Sequence, residues 1–162
     1  WLCRCQKKSV ITQISQIMTQ MKKVYSEPDY PLKDLTEKII GAAFKVHNAL
    51  GSGFIEKVYE NALVEELRNQ GCNTEQQKRI HIIYDRKSVG DFVIDLVVDN
   101  SVILEIKAVK HLEPSFDSKL LHYLKATDFH VGLLLNFGTS VSIHRKINSQ
   151  SANKSEQSAK SK

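Results

Sequence analysis

Long apolar segments are missing from this sequence. No run of apolar residues approaches the ~18–20 residues that a membrane-spanning helix requires. The N-terminal stretch WLCRCQKKSV contains no apolar core of the length found in signal peptides. The three cysteines form an odd number, which argues against a disulfide framework and fits a reducing compartment. The sequence therefore predicts a cytoplasmic protein with no membrane segment.

The cysteine patterns of structural zinc sites are missing as well. Cys3 and Cys5 are separated by one residue and no second pair follows them, so they give little support to a zinc site. The chain also begins without methionine, and Met18 or Met21 would be a natural start. We therefore treat residues 1–20 as candidate upstream sequence.

The central part of the chain has no excess of basic residues. The formal net charge is +5, but residues 1–33 account for +4 and residues 148–162 for +2, which leaves −1 for residues 34–147. A basic balance is the usual electrostatic sign of a nucleic-acid-binding protein. Because this balance lies in the terminal segments, an interaction with nucleic acid has to be argued from a site.

The length of 162 residues predicts one domain with two extensions. Residues 1–33 form a predicted, poorly ordered N-terminal extension, with a weakly amphipathic segment at 9–24 and a linker at 26–31 that contains two prolines. Residues 34–147 form the predicted domain. The tail at 148–162 is rich in Ser, Gln and Lys, has no large apolar residue beyond Ile147, and is predicted to be disordered.

Hydrophobic periodicity predicts eight elements within the domain. They are helices at 34–50, 55–70 and 114–127 and strands at 79–84, 91–98, 102–109, 130–137 and 141–147. Asp34 and Glu37 have capping-box spacing at the start of the first helix, and Gly51 and Gly71 stand where helix C′ glycines belong. The order α-α-β-β-β-α-β-β predicts an α/β (α+β) fold, in which helices flank a mixed central sheet.

Charged residues interrupt two adjacent apolar strands. Asp95 lies within FVIDLVV, and Glu105 and Lys107 lie within VILEIKAV. Glu105 and Lys107 are two residues apart, so their side chains share one face of a strand. A three-residue loop after Val98 would pair that residue with Val102 and bring Asp95 opposite Glu105, whereas a two-residue loop would put the two acids on opposite faces.

Two carboxylates beside one ammonium suit a hard divalent cation. Mg²⁺ and Mn²⁺ prefer a few carboxylate oxygens together with water and substrate phosphate. Lys107 would then orient or help to deprotonate an attacking water, or offset charge at phosphorus. The alternative is a simple ion pair of Lys107 with Glu105 or Asp95. For Glu105 and Lys107 alone this would be the better interpretation, and the aspartate on the preceding strand makes the two interpretations about equal.

The chain resembles the GxxExxY protein family within the PD-(D/E)xK nuclease superfamily. Gly53, Glu56 and Tyr59 in GFIEKVY match the motif that names the family. The resemblance continues through VGDFVIDLVVDNSVILEIKAV, LLHYLKAT and GLLLNFG and covers residues 30–147. It implies a restriction-endonuclease-like fold.

The resemblance also implies roles for the ionisable residues. Asp95 matches the principal metal ligand of the superfamily and Glu105 the second ligand. Glu56 matches a helix glutamate that contributes to the metal site directly or through water. Lys107 matches the lysine that assists the water.

Auxiliary positions agree less well with the superfamily pattern. A glutamine often follows on the next helix with a tyrosine four residues later, and here these positions hold Lys119 and Tyr123. Ile94 replaces the proline that often precedes the aspartate. Tyr59 is near Glu56 on a helix, and either its hydroxyl bonds a group of the site or it serves core packing alone.

The resulting hypothesis is a Mg²⁺- or Mn²⁺-dependent nuclease that acts on DNA in preference to RNA. A catalytically silent module with the same fold, which binds nucleic acid or a protein partner, is the alternative, and Lys119 favours it. A homodimer is a further candidate assembly, because a small nuclease without a targeting domain often depends on a second copy or a partner.

Other polar residues are assigned to structure. His47 is interpreted as a capping or packing residue in preference to a site residue. Asp91 shares a strand face with Asp95 but lies ~13 Å from it, too far for the same metal. The remaining acids of the second helix are predicted to form a solvated face. They are Glu60, Glu65 and Glu66.

Overall fold

The computed structural model describes residues 31–148. Several predicted features lie outside the described residues. They are the segment at 9–24, almost all of the linker, the Cys3 and Cys5 pair and the tail from residue 149. The division into an extension, a domain and a tail therefore stays a prediction. The described residues contain no helix whose length and apolar character would let it cross a membrane.

The described part of the chain forms three helices and five strands in the predicted order. They are α1 (Lys33–Leu50), α2 (Glu56–Asn69), β1 (Thr74–Tyr84), β2 (Lys87–Val98), β3 (Val102–Lys107), α3 (Pro114–Ala126), β4 (Val131–Phe137) and β5 (Val141–Ile147). The predicted fold class is confirmed. The largest differences are at β1 and β2, which begin five and four residues earlier than predicted.

The five strands form one sheet in the order β1-β2-β3-β4-β5. All neighbouring pairs are antiparallel except β3 and β4, which run parallel. A parallel pair needs a crossover, and α3 provides it. Every residue of β4 is buried, as the continuous apolar run HVGLLLNF predicts for an inner strand with both faces covered.

Two apolar clusters lie on opposite faces of the sheet. The helices α1 and α2 cover one face, and its largest fully buried side chains include Ile39, Tyr59, Leu63 and Phe137. The helix α3 covers the other face through the predicted apolar stripe of Phe116, Leu120, Tyr123 and Leu124. Alternating residues of β3 serve the two clusters, so the strand that carries Glu105 is the centre of the domain.

The predicted capping box at the start of α1 is wrong. The helix begins at Lys33, and its N-cap is Leu32, with a left-handed backbone (φ 58°) and no side-chain cap hydrogen bond among the described residues. Asp34 lies within the first turn, where its charge favours the positive end of the helix dipole. The turn that follows Pro31 starts the helix one residue earlier than the spacing indicated.

The predicted glycine ends of α1 and α2 are confirmed. Gly51 and Gly71 have φ angles of 74° and 79°, which a residue with a Cβ adopts only with strain. After α2 the N–H of Cys72 donates to the carbonyl of Leu67 and the N–H of Gly71 to that of Arg68. This is the Schellman arrangement, and it turns the chain directly into β1.

A tight backbone approach behind β4 fixes the end of β3. Asn136 accepts from the N–H of Val109 and donates to its carbonyl, both at 2.9 Å. A Cβ added at Gly138 would lie 2.5 Å from the carbonyl oxygen of Val109. Backbone cannot give way as a flexible side chain does, so this position requires glycine.

We expect Gly138→Ala to lower the free energy of unfolding by about 2 kcal/mol, because a methyl group is forced against backbone. Gly41→Ala is the matched control, since Gly41 lies inside α1 with nothing within 4 Å of the added carbon. It should raise the stability by about 0.5–1 kcal/mol through helix propensity. Urea unfolding of both variants tests this, and equal changes in the two would contradict it.

Candidate active site

The hairpin of β2 and β3 has the register that the three-residue loop predicts. Val98 pairs with Val102, Val97 with Ile103, and Leu96 with Leu104. Continued by one residue, this register puts Asp95 at the level of Glu105. The predicted register is therefore confirmed as far as Leu96 and Leu104.

At Asp95 the strand β2 leaves β3. The pairing of these strands within the described sheet ends at Leu96 and Leu104. The Asp95 carboxylate replaces the missing strand partner, because its Oδ2 accepts the N–H of Ile106 at 2.8 Å. A buried backbone N–H needs a partner, and here that need fixes the direction of the carboxylate.

Glu105 lies at the centre of the site and is fully buried. Its Oε1 is 2.8 Å from Nζ of Lys107 and 2.7 Å from Nζ of Lys119. Its Oε2 is buried and has no hydrogen-bond partner among the described residues. One carboxylate therefore holds two ammonium groups through one oxygen and leaves the other oxygen unsatisfied.

Lys107 connects Glu105 to the start of α2. Its Nζ donates to the carbonyl of Ile106 at 2.9 Å and lies 5.4 Å from the ring centroid of Phe116. Oε2 of Glu56 lies 3.7 Å from the same Nζ. Because Glu56 is the first residue of α2 and its side chain is 47% exposed, it can move toward a ligand.

Lys119 and Tyr123 extend from α3 toward the same carboxylate. Besides its bond to Glu105, the ammonium of Lys119 lies 5.2 Å from the ring centroid of Tyr123. Tyr123 stacks on Phe92 with ring centroids 4.2 Å apart. The structure thus brings both auxiliary residues to the site, where Tyr123 supports Lys119 and not the carboxylates directly.

The electrostatics of the site follow from burial and from these contacts. Burial raises the pKa of the Asp95 carboxyl above its ordinary value; the bond from the Ile106 N–H opposes the rise, whereas the Glu105 charge adds to it. Partial burial acts to lower the pKa of Lys119, but its bond to Glu105 and its contact with Tyr123 outweigh that effect and raise it. Lys119 is therefore a permanent cation beside Glu105.

The sequence model of the PD-(D/E)XK nuclease superfamily matches residues 33–148. The chain belongs to this superfamily. The predicted restriction-endonuclease-like arrangement is consistent with this membership, and the four predicted ionisable residues, Glu56, Asp95, Glu105 and Lys107, come together at one end of β3. Their individual roles stay predictions.

The similarity of this chain to individual proteins is weak. No curated protein matches the chain. A solved structure titled "Crystal structure of SSO0001" is similar to it with 15% sequence identity and a TM-score of 0.48. The similarity covers 65% of this chain and 60% of that one, so the chain spans less than two thirds of the other protein.

Nucleases of the superfamily usually use divalent metal ions, so the donor set has to be tested against such an ion. No group of three His, Cys, Asp or Glu side chains within residues 31–148 is arranged to hold a metal. Mg²⁺, however, usually keeps several waters and takes only one or two protein carboxylates. Asp95 and the unsatisfied Oε2 of Glu105 fit that smaller demand.

Tyr59 does not bond a group of the site. Its hydroxyl donates to the carbonyl of Gly51 at 2.7 Å and accepts the N–H of Phe54 at 3.3 Å. Its ring is fully buried and stacks on Phe137 at 4.6 Å. Tyr59 therefore ties the loop before α2 to the core, and this loop determines where Glu56 begins the helix.

Glu60 contradicts the predicted solvated face of α2. It is 4% exposed, and its carboxylate accepts from Lys57, Gln76 and Gln77 at 2.8, 2.9 and 3.0 Å. The signal in the sequence was its helical spacing to buried Val64, four residues later. Of the other two acids, Glu65 is exposed as predicted, whereas Glu66 is half-buried and bonded to Lys45 and Gln70.

The other residues assigned to structure lie apart from the four ionisable residues. His47 packs edge-on against Tyr59 and Phe137, at centroid distances of 6.4 and 6.3 Å, which fits the packing interpretation. Asp91 bonds His81 at 2.6 Å and Arg79 at 3.3 Å on the surface of the β1–β2 hairpin. Both oxygens of the Asp91 carboxylate therefore have hydrogen-bond partners.

Proposed function

We propose that this domain hydrolyses phosphodiester bonds of nucleic acid, in DNA more than in RNA, with Mg²⁺ or Mn²⁺ as cofactor. The observation that carries the proposal is the buried Oε2 of Glu105, which has no partner within residues 31–148 and lies at the level of Asp95. A buried carboxylate oxygen without a partner carries the cost of desolvation. A cation at this oxygen would remove that cost, and two carboxylates from adjacent strands suit it.

Each residue has a distinct task in this proposal. Asp95 and Glu105 hold the cation, and Glu56 reaches it directly or through water. A bound divalent cation supplies Lewis-acid activation and neutralises phosphate charge. Lys107, held by the Ile106 carbonyl and by Glu105, orients the attacking water or offsets the charge that develops on the phosphate oxygens.

We further propose that the chain is a member of the GxxExxY family. The three residues of the motif lie together in the loop before α2 and in the first turn of that helix. Gly53 has a φ of 109° in the loop that Tyr59 holds to the core, and Glu56 follows as the first residue of α2. Together, Gly53 and Tyr59 fix where α2 begins, and the spacing of the motif then directs the Glu56 side chain toward Lys107.

The β1–β2 hairpin supports DNA as the substrate. Its outer part is paired only with itself in the described sheet, and Tyr84 at its end is 74% exposed. Asp85 and Arg86 form the turn, with φ angles of 46° and 63°. Arg86 and Lys87 have no ion pair or side-chain hydrogen bond within the described residues. A two-stranded ribbon with free cations fits the DNA major groove and its phosphates.

We expect the double variant Arg86→Gln, Lys87→Gln to bind duplex DNA more weakly at low salt. The slope of log K against log salt should become shallower by about 2, one for each phosphate that the variant no longer neutralises. The matched control removes two exposed lysines elsewhere, Lys38→Gln with Lys125→Gln. Fluorescence anisotropy over a salt series measures both, and equal slopes in the two variants would refute a role of the hairpin end in DNA binding.

The nuclease proposal is tested by cleavage assays on single- and double-stranded DNA and RNA with Mg²⁺, Mn²⁺ or EDTA. We expect cleavage that requires the metal, favours DNA and is lost in Asp95→Ala and Lys107→Ala. Activity that survives either substitution, or that is absent under all conditions, would contradict the proposal. We further propose a cytoplasmic location, which the odd number of cysteines favours and which would give the protein access to its substrate. The protein would act there alone, as a homodimer or with a protein partner.

A catalytically silent module that binds nucleic acid or a protein is the second candidate, and Lys119 favours it. Its ammonium lies 2.7 Å from Glu105, where the superfamily often has an uncharged glutamine. A cation here competes with a divalent ion for the same carboxylate. Titration calorimetry with Mn²⁺ separates the candidates, because the silent module would give no heat that depends on Asp95.

A further inference from the structure

Asp95 of β2 has no paired residue in either neighbouring strand of the described sheet, β1 or β3. We call the set of residues at this level of the sheet the Asp95 row. In β1 and β2, Gln76 pairs with Leu96 and Lys78 with Ile94, but Gln77 and Asp95 between them form no pair in the described sheet. The register is the same before and after this row. The gap is therefore a local distortion of both strands and not an inserted residue. It coincides with the row at which β2 also leaves β3.

The side chains of β2 change face at this row. Leu96 and Val98 pack with the cluster under α1 and α2. Phe92 and Ile94 pack with the cluster under α3. In a regular strand, residues separated by an even number share one face, so all four should lie together. The alternation therefore shifts by one residue at Asp95.

β1 changes face at the same row. The side chain of Gln76 bonds Glu60 on α2, whereas Nζ of Lys78 lies 6.0 Å from the ring centroid of Phe129 beside the α3 cluster. The residue between them, Gln77, has a φ of 52°. This left-handed conformation is uncommon for a residue other than glycine, asparagine or aspartate and costs free energy. Gln77 is thus the backbone origin of the distortion.

Glu60 holds Gln77 in that conformation. Its Oε2 accepts the Gln77 amide at 3.0 Å, while its Oε1 accepts the Gln76 amide at 2.9 Å. Amides of two consecutive strand residues would normally point to opposite faces of a sheet, so one carboxylate can hold both only because the strand is twisted between them. A nearly buried glutamate therefore supports a strained backbone directly opposite Asp95.

We infer that Glu60 and Gln77 are positioning residues for Asp95. The left-handed Gln77, held by Glu60, opens the row that it shares with Asp95, and the Asp95 carboxylate turns onto the N–H of Ile106 at the level of Glu105. Glu60 also lies one helical turn after Glu56, so α2 and β1 are held together at the level of the site. The metal-related part of this inference rests on the proposed function, whereas the orientation of Asp95 does not.

The experiment compares two substitutions of Gln77 with opposite backbone preferences. Valine favours a regular strand and disfavours a positive φ, whereas glycine adopts a positive φ freely. The Ile106 amide resonance of the full chain is recorded by NMR without metal, with Asp95→Ala as the reference for a missing carboxylate bond. Mn²⁺ affinity is then measured by calorimetry, and thermal unfolding is recorded for each variant.

We expect the Ile106 amide in Gln77→Val to move toward its position in Asp95→Ala and Mn²⁺ affinity to fall by about 10- to 100-fold. Gln77→Gly should stay closer to the wild type in both measurements. Glu60→Leu should resemble Gln77→Val, and Glu60→Gln, which keeps one acceptor, should lie between. Thermal stability should fall in Gln77→Val and Glu60→Leu alike, because Gln77→Val takes the Gln77 donor from the buried Oε2 of Glu60 and Glu60→Leu removes the acceptor, so the Ile106 amide and not the stability decides between the roles.

An unmoved Ile106 amide in Gln77→Val would overturn the inference, as would a Gln77→Gly variant that moves as far as the valine variant. A purely structural role predicts lower thermal stability with an unchanged amide. If the wild type binds no Mn²⁺ while the amide still moves in Gln77→Val, the proposed metal site fails and the positioning of Asp95 stands.

Discussion

Replacing Lys107 with methionine is expected to lower the rate of metal-dependent DNA cleavage by about 10²- to 10⁴-fold, the range that a positioned proton-transfer group supplies. The side chain is 12% exposed, and its ammonium has two close partners, the Glu105 carboxylate and the Ile106 carbonyl. Methionine keeps the volume and loses only the charge and the donors. The loss should therefore appear in the chemical step.

Binding of the metal separates this effect from unfolding of the site. Removal of one cation from Glu105 should leave Mn²⁺ affinity equal or higher, because the remaining carboxylate charge is less compensated. Lys125→Met, at an exposed position near the end of α3, is the control and should cleave at the wild-type rate. Single-turnover cleavage and Mn²⁺ calorimetry of the two variants make the comparison. Cleavage by Lys107→Met within tenfold of the wild type would remove the lysine from the mechanism.

The strand that carries the site could be predicted because its signal is local. Charges inside apolar strands are costly, so Asp95, Glu105 and Lys107 were visible against FVIDLVV and VILEIKAV. The hairpin register was reduced to two alternatives, a two- or a three-residue loop, since strand geometry has a fixed period of two, and the structure has the three-residue loop. The ends of α1 and α2 could be predicted from Gly51 and Gly71, because each helix end depends on a single residue.

The distortion at Gln77 could not be predicted, because it depends on a contact between distant segments. Glutamine has no preference for a positive φ, and the carboxylate that holds it lies 17 residues earlier on α2. The four extra residues at the start of β2 escaped prediction for another reason. Residues 87–90 are exposed at the end of the hairpin, so no buried face imposes an alternation there.

Lys119→Gln is the substitution that distinguishes an active nuclease from a silent module. It puts an uncharged donor of similar length where the superfamily often has one. Lys119 holds Oε1 of Glu105 at 2.7 Å and remains charged. We expect Mn²⁺ affinity to rise by about 10- to 100-fold, because repulsion between an ammonium and a divalent ion that share one carboxylate is worth several kcal/mol even at an effective dielectric constant of about 20.

The accompanying change in cleavage identifies which state the natural protein occupies. If the wild type is already active, the stronger binding should lower the metal concentration for half-maximal cleavage and leave the maximal rate within about tenfold, since Lys119 is not the group that acts on water. If the wild type is silent, cleavage should appear only in Lys119→Gln. Lys125→Gln removes a lysine from the same helix away from Glu105 and should change neither quantity. Unchanged or weaker Mn²⁺ binding in Lys119→Gln would show that Glu105 does not receive the metal, because the lysine would then compete with nothing.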